Sequence, residues 1–272
     1  MIFTMPELPE VETYRRYFEE TSLNQSIADV FVEDTKLLTT DYDSLSQKLK
    51  KRSFISTKRV GKNLFVQLDA PYWLHFHFGM TGDLAYFKDP EDTPRFARII
   101  FHFTNGFKLG FLCPRKFERI GIVENVDEYL KSKKINKDAL EISFDELNRI
   151  LSVRKAPIKS VLLDQSTVAG IGNWIVDEVL FQANVHPEKL ANQLLDNQKM
   201  AIFESMRFVI ETAIEKQANY DEFPKDFLIH ARGWGNTQIA ELIGKCPNCQ
   251  EKIQIIKVGG RTTFLCPSQQ KL

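Results

Sequence analysis

The 272-residue sequence has no excess charge of either sign, its 36 Lys and Arg balancing 36 Asp and Glu. That excludes a whole-surface electrostatic grip on a polyanion; binding to nucleic acid must come from local basic groups, with a moderate dependence on salt. Long apolar runs are also missing, so no bilayer-spanning helix is expected, and Met1-Ile2-Phe3-Thr4 lacks the apolar stretch of a secretory signal. Cysteine is scarce: four in a chain of this length make no disulfide framework, and three of them sit at metal-like spacing. These absences together point to a cytoplasmic protein. Internal repeats and low-complexity tracts are absent as well. Hydrophobic content of 43% and charged content of 26% fit an ordinary globular chain, long enough for one large or two to three small domains.

Met5-Pro6-Glu7-Leu8-Pro9-Glu10 carries the most information. A chain begun at Met5 and trimmed of its methionine would end in a free proline. That secondary amine has a pKa near ~8 against lysine's ~10.4, so much of it is neutral and nucleophilic at physiological pH. Attack on an aldehydic carbon gives an iminium directly, and Glu7 can supply the proton the attack needs. The plainer alternative is that Pro6 and Pro9 punctuate a helix start, with Pro9 in its first turn. Ile2 would block removal of Met1, and with residues 1–4 in place Pro6 carries only an amide nitrogen. Met5 is therefore expected to be the start, with residues 1–4 an extension.

Val11 to Ser22 reads as an amphipathic helix, with Val11, Tyr14 and Phe18 on one face. Short apolar or alternating runs follow at Ile27–Glu33, Phe54–Val60, Asn63–Leu68, Trp73–Phe78, Asp83–Phe87, Phe96–Phe103, Phe107–Leu112 and Arg119–Val123. Turn residues separate most of them, Thr104-Asn105-Gly106 being a hairpin signal. So many short strands in about a hundred residues predict a β-sandwich with helices at its edges. The charged stretch Lys131 to Lys137 reads as a domain boundary or its flanking helix, more simply a solvated surface than a DNA grip. Helical patterning follows from Ser143, whose Ser143-Phe144-Asp145-Glu146 is a capping box. Phe203, Met206, Ile210 and Ile214 form the core stripe of a later helix, and β character returns over the final thirty or so residues.

Cys246-Pro247-Asn248-Cys249 and Cys266-Pro267-Ser268-Gln269 are nearly a four-cysteine zinc ribbon. The last position holds Gln269, a poor zinc ligand. Three thiolates with water or a distant side chain would bind zinc more weakly; the alternative is a metal-free hairpin. Between the knuckles, Ile253–Val258 and Thr262–Leu265 flank a Gly259-Gly260 turn, placing Arg261 at the tip for a phosphate or a narrow groove, or simply as a surface arginine. Gly170-Ile171-Gly172-Asn173 precedes a helix from Trp174 to Gln182 and resembles a phosphate-binding turn, with a helix-cap turn the alternative. Lys62 lies beside Gly61 between two strands, where a solvated turn lysine is the plain reading. Met80 sits in the glycine-flanked turn His77-Phe78-Gly79-Met80-Thr81-Gly82, where a core methionine is the alternative. Pro114-Arg115-Lys116-Phe117 sets a cation and an aromatic at a strand break, a pairing suited to a base edge and to stacking.

Taken in order, Met5 to Glu12, Gly61-Lys62, His77 to Met80, Pro114 to Phe117, Gly172-Asn173 and the cysteine hairpin closely resemble the formamidopyrimidine-DNA glycosylase and endonuclease VIII family, its formamidopyrimidine branch most of all. The resemblance runs from Met5 to the C-terminus. It implies an α+β multidomain fold: an N-terminal β-sandwich with flanking helices over 5–130, a helix-two-turn-helix domain over 140–222 and a zinc-finger-like β-hairpin over 240–272. It also implies a monomeric base-excision repair enzyme that acts on damaged double-stranded DNA. In such an enzyme Pro6 attacks C1′ of an oxidised purine nucleotide and displaces the base, and β- and δ-elimination follow from the iminium. Glu7 would open the sugar, Glu10 would support it, and Lys62 would contact phosphate and assist proton transfer. Lys159, Asn173 and Arg261 would hold backbone phosphates. Met80, Arg115 and Phe117 would fill the gap left by the extruded base, and Cys246, Cys249 and Cys266 would bind zinc.

The sequence departs from the family pattern at several positions. Cys113 stands where Asp usually precedes Pro-Arg, Glu118 replaces a glycine and is expected to place an anion near DNA, and Gln269 replaces the fourth cysteine. Arg232 to Thr237 falls where the family carries a variable lesion-capping loop. The alternatives are an endonuclease VIII-like preference for oxidised pyrimidines, against which the Met80-Arg115-Phe117 set argues, and a catalytically silent binder of damaged DNA.

Overall fold

A computed structural model describes residues 5–233 and 243–272. The expected extension at residues 1–4 and residues 234–237 of the expected loop lie outside them. Two compact units divide the chain near residue 133, within the charged stretch; the first takes in residues 5–6 and 10–133, the second residues 7–9 and those from 134 onward.

The first unit is built on eight strands: β1 (Ile27–Val32), β2 (Phe54–Val60), β3 (Asn63–Leu68), β4 (Trp73–His77), β5 (Asp83–Phe87), β6 (Ala97–Phe103), β7 (Lys108–Leu112) and β8 (Arg119–Val123). They form two four-stranded sheets, ordered β1-β6-β7-β5 and β2-β3-β4-β8. All the pairings are antiparallel, and tight turns join β2 to β3, β3 to β4 and β6 to β7. Each expected strand is present within a residue or so at either end. Thr104-Asn105-Gly106 makes its turn, with Gly106 at φ +87° and its N–H donating to the Phe103 carbonyl.

Phenylalanine fills the space between the sheets. Phe54, Phe76, Phe101 and Phe111 are fully buried, and Phe18 of α1 (Leu8–Ser22) meets Phe54 edge-on at 5.0 Å between ring centroids. Shorter helices α2 (Tyr42–Leu49) and α3 (Val126–Ser132) complete the unit. In the β4–β8 pair His77 lies opposite Arg119. The turn leaving β4 and the turn entering β8 therefore emerge side by side from one end of the same sheet.

The second unit contains α4 (Phe144–Val153), α5 (Ile158–Leu163), α6 (Asn173–Gln182), α7 (Asp196–Glu215) and the hairpin β9 (Gln254–Val258) and β10 (Arg261–Leu265). The Ser143 capping box forms: the Glu146 N–H donates to Ser143 Oγ at 3.3 Å and the Ser143 N–H to Glu146 Oε2 at 3.0 Å. Met206 and Ile210 of the α7 stripe are buried, with Phe203 and Ile214 packed at the edge of the same core. Gly259 and Gly260 turn the hairpin at φ +57° and +76°. No helix among the described residues is long and apolar enough to cross a membrane.

An isolated two-stranded hairpin is marginal in water, and this one is fastened by buried charge. Lys159 of α5 donates to Asp177 Oδ1 at 2.7 Å, to the Thr262 carbonyl at 3.0 Å and to Thr263 Oγ1 at 2.8 Å. Asp177 also accepts from Arg232 and from the Phe264 N–H. Next to Asp177 on α6, buried Glu178 accepts from the N–H groups of Leu228 and Ile229 at 2.9 and 3.0 Å, capping the short 3-10 helix Leu228–Arg232.

Burial pushes the Glu178 carboxyl from 4.5 up to about 7, against the bonds from Gln182, Leu228 and Ile229. A carboxyl whose folded pKa is raised favours folding while protonated, so stability falls as pH rises from about 4.5 to about 7. Glu178→Gln should remove this group's share of that slope, on the order of 3 kcal/mol across the window. Denaturant midpoints of the two proteins between pH 4.5 and 7.5 check this, and parallel curves would refute it.

Candidate functional site

Around the N-terminal motif the structure sets a carboxylate against a helix end. Pro6 is buried, and the next residue, Glu7, is 2% exposed. Glu7 Oε1 accepts from the Trp174 N–H at 3.0 Å and Oε2 from the Ile175 N–H at 3.2 Å. These are donors of the first turn of α6, which have no partner within the helix, and the helix N-terminus favours negative charge there. Gly172 makes the approach possible, since any Cβ at that position would overlap the Glu7 carboxylate. Gly170, at φ +106°, is pressed against Leu8, whose N–H donates to its carbonyl at 3.2 Å. The turn 170–173, which the sequence likens to a phosphate cradle, thus receives the chain's own carboxylate. This explains two of its glycines without a ligand.

Within the first unit, Gly61 at φ +57° turns the chain from β2 to β3 and leaves Lys62 half-buried beside it. His77, at the end of β4, is lowered from its ordinary value by burial first, then by the nearby charges of Lys62 and Arg119. A neutral imidazole fits its contact, because His77 Nδ1 accepts the Gly79 N–H at 3.2 Å. Arg59, just before the Lys62 turn, pairs with Glu12 of α1 at 3.0 Å. Glu12 also binds Arg15 at 2.8 Å; burial pushes its carboxyl up, and these two arginines hold it below the usual carboxylate value. Periodicity gives no signal for this support, which couples two positions 47 residues apart.

The two turns at the β4–β8 end hold the expected wedge residues. Met80 is half-buried and belongs to none of the hydrophobic clusters among the described residues, so it is not a core methionine. Arg115 is exposed, its guanidinium 5.3 Å from the ring centroid of Phe117, itself 52% exposed. Cys113 is wholly buried, its thiol pushed far above the ordinary value by burial and by the neighbouring Glu118. Glu118 corrects an expectation: it faces the interior at 0% exposure and puts no anion on the surface.

Lys159 corrects another. Its side chain is inaccessible and its Nζ has three acceptors, so it has no N–H left for a phosphate. Burial lowers its pKa, with Asp177 opposing. Asn173 opens α6 and spends one amide N–H on the Thr262 carbonyl at 3.1 Å, while its Oδ1 is buried without a partner among the described residues. Arg261 is exposed at the start of β10, one residue from that carbonyl.

Cys246, Cys249 and Cys266 converge, with their sulfurs all within 4.8 Å of one another. Gln269 Oε1 lies 3.7 Å from the Cys246 sulfur. The neighbouring Gln270 locks this turn, accepting the Cys266 N–H at 2.9 Å and donating to the Val185 carbonyl at 3.0 Å. Three soft donors at this spacing fit a metal ion.

Known proteins share this sequence and architecture. The family model of the formamidopyrimidine-DNA glycosylase N-terminal domain matches residues 5–120, and that of the formamidopyrimidine-DNA glycosylase H2TH domain matches residues 135–223. A formamidopyrimidine-DNA glycosylase of Arabidopsis thaliana is 34% identical, over 98% of this chain and 71% of that one. The protein of that name from Pelotomaculum thermopropionicum is also 34% identical, over 98% and 100%. Among solved structures, the Lactococcus lactis formamidopyrimidine-DNA glycosylase bound to abasic-site DNA superposes with a TM-score of 0.84 at 28% identity, covering 98% of this chain and all of that one. The same enzyme with FAPY-dG-containing DNA gives 0.85 at 29%, with the same coverage. From the N-terminal motif to the cysteine hairpin, the chain belongs to the formamidopyrimidine-DNA glycosylase family.

Proposed function

We propose that this protein excises oxidised purines, of the 8-oxoguanine and formamidopyrimidine type, from double-stranded DNA and then cleaves the abasic site through a Schiff base on Pro6. The activity is that of a base-excision repair glycosylase with lyase activity, as in the family. The observation that carries the residue-level reading is the seating of Glu7 on the N-terminus of α6, which fixes the residue next to the nucleophile. The Pro6 ring nitrogen attacks C1′ and the base departs. The C1′–O4′ bond then opens as the ring oxygen takes a proton, leaving a cationic iminium that acidifies the 2′ hydrogen so that both flanking phosphates are eliminated in turn. Glu7 handles the proton at the sugar ring. Lys62 contacts a phosphate beside the flipped nucleotide and assists departure of the base.

Phosphate binding falls to Asn173 and Arg261. Lys159 instead holds the strand from which Arg261 projects. Exposed Arg115 and Phe117, with Met80, fill the gap left by the extruded nucleotide, which offsets the few kcal/mol that unstacking costs. The protein works as a monomer in the cytoplasm. Zinc, when bound, would be held by the thiolates of Cys246, Cys249 and Cys266 and would brace the knuckles of the hairpin.

The chemistry requires a free nitrogen on Pro6. Protein produced from Met5 and trimmed to Pro6 should give a covalent adduct with an abasic duplex under borohydride, whereas protein retaining Met1 should give none. Absence of an adduct from the trimmed form, with normal binding of abasic DNA, would leave only a silent binder. Lys62→Ala should slow excision of an intact lesion on the order of a hundredfold while cutting a preformed abasic site much less; equal losses would make Lys62 a general binding residue. Metal analysis of protein purified without chelator should find zinc near one per chain. Gln269→Cys should slow its transfer to a colorimetric chelator, and metal-free protein would mark the hairpin as a purely protein-held fold.

A further inference from the structure

Glu118 is a fully buried carboxyl group with little to hold it. Its Oε1 accepts one hydroxyl bond, from Thr81 at 3.1 Å, and its Oε2 has no partner among the described residues. Burying such a group costs stability unless it is fully hydrogen-bonded. A polar group kept at that cost points to a geometric task. The surroundings identify the task.

Thr81 lies in the turn after β4 and Glu118 in the turn before β8, and the His77–Arg119 register sets these turns beside each other. They meet at glycines. A Cβ at Gly79 would lie 2.8 Å from the Glu118 nitrogen, and one at Gly82 would lie 2.9 Å from Glu118 Cγ. The Gly82 N–H closes its own turn on the Phe78 carbonyl at 2.8 Å. On the other side Arg119 Nη1 donates to the carbonyls of Lys116 and Glu118, at 3.0 and 2.6 Å. Lys116, at φ +59°, pairs with Asp34 at 2.7 Å. Met80 is flanked by Gly79 and Thr81; Arg115 and Phe117 lie just before Glu118.

We infer that Glu118 is a positioning residue which, through Thr81 and the close approach at Gly79 and Gly82, locks the Met80 turn to the Arg115–Phe117 turn so that the three side chains enter the DNA as one rigid wedge. The inference rests on the proposed void-filling role of those three residues. Without the lock each turn must be ordered separately during base extrusion, while a site that already lacks its base needs less of that help.

The test uses protein trimmed to Pro6 and compares single-turnover excision of an oxidised guanine with borohydride trapping on an abasic duplex, alongside thermal melting. Met80→Ala should lower excision about tenfold more than trapping, and Glu118→Ala should do the same. The double variant should lose little beyond either single one. Glu118→Gln, which keeps an acceptor for Thr81, should restore most of the excision. Thr81→Val, which removes the same bond from its other end, should behave like Glu118→Ala and serves if that variant folds poorly. Unchanged selectivity in Met80→Ala would remove the void-filling reading and this inference with it. A normal Met80→Ala effect with equal loss of both activities in Glu118→Ala and Thr81→Val, additive losses in the double variant, or no rescue by glutamine would overturn the lock alone.

Discussion

The contact between the Glu7 carboxylate and the first turn of α6 governs the arrangement of the proposed chemistry. Two main-chain donors grip its two oxygens, and the fixed backbone of a helix sets their direction. A side chain held this way loses its rotational freedom, so the carboxylate next to Pro6 is placed by folding before any DNA arrives. The helix N-terminus would attract an anion in any case. Here it is filled from within, which turns an anion site into a clamp on Glu7.

The same logic recurs elsewhere in the chain. Glu12 ties α1 to the strand end before Lys62, and Asp177 joins Lys159 and Arg232 beneath the hairpin. In each case a carboxylate from one element satisfies basic groups from others. These pairs cross sequence separations that hydrophobic packing alone specifies poorly. A net charge of zero therefore hides a division of labour: part of the basic complement is spent inside the protein, and exposed arginines such as Arg115 and Arg261 stay on the surface.

Much of this was legible in the sequence. Strand positions in the first unit followed from short apolar or alternating runs and the turn residues between them; β6 alternates over residues 101–103, whereas β3 is buried along nearly its whole length. The Ser143 box and the Gly259-Gly260 turn were local signals whose geometry needs nothing distant. Distant pairings left no such trace. Lys159 looks the same in sequence whether it reaches for a phosphate or for Asp177, and only the fold shows that Asp177 lies within reach. Glu118 likewise follows an exposed Phe117 yet turns inward, and no residue near it in sequence marks that direction. Gly170 and Gly172 suggested a ligand because close backbone approach serves a neighbouring carboxylate as well as a phosphate.

The buried charge cluster beneath the hairpin bears on how far this module depends on a metal. Where a metal alone organises a small module, each of its ligands is indispensable, and replacing one dissolves the module. Here β10 is also stitched to α5 and α6 through Thr262, Thr263 and Phe264, and the Gln270 side chain secures the last knuckle. That second set of attachments holds the hairpin from outside the cysteine cluster, so an amide at position 269 leaves Arg261 on an anchored strand.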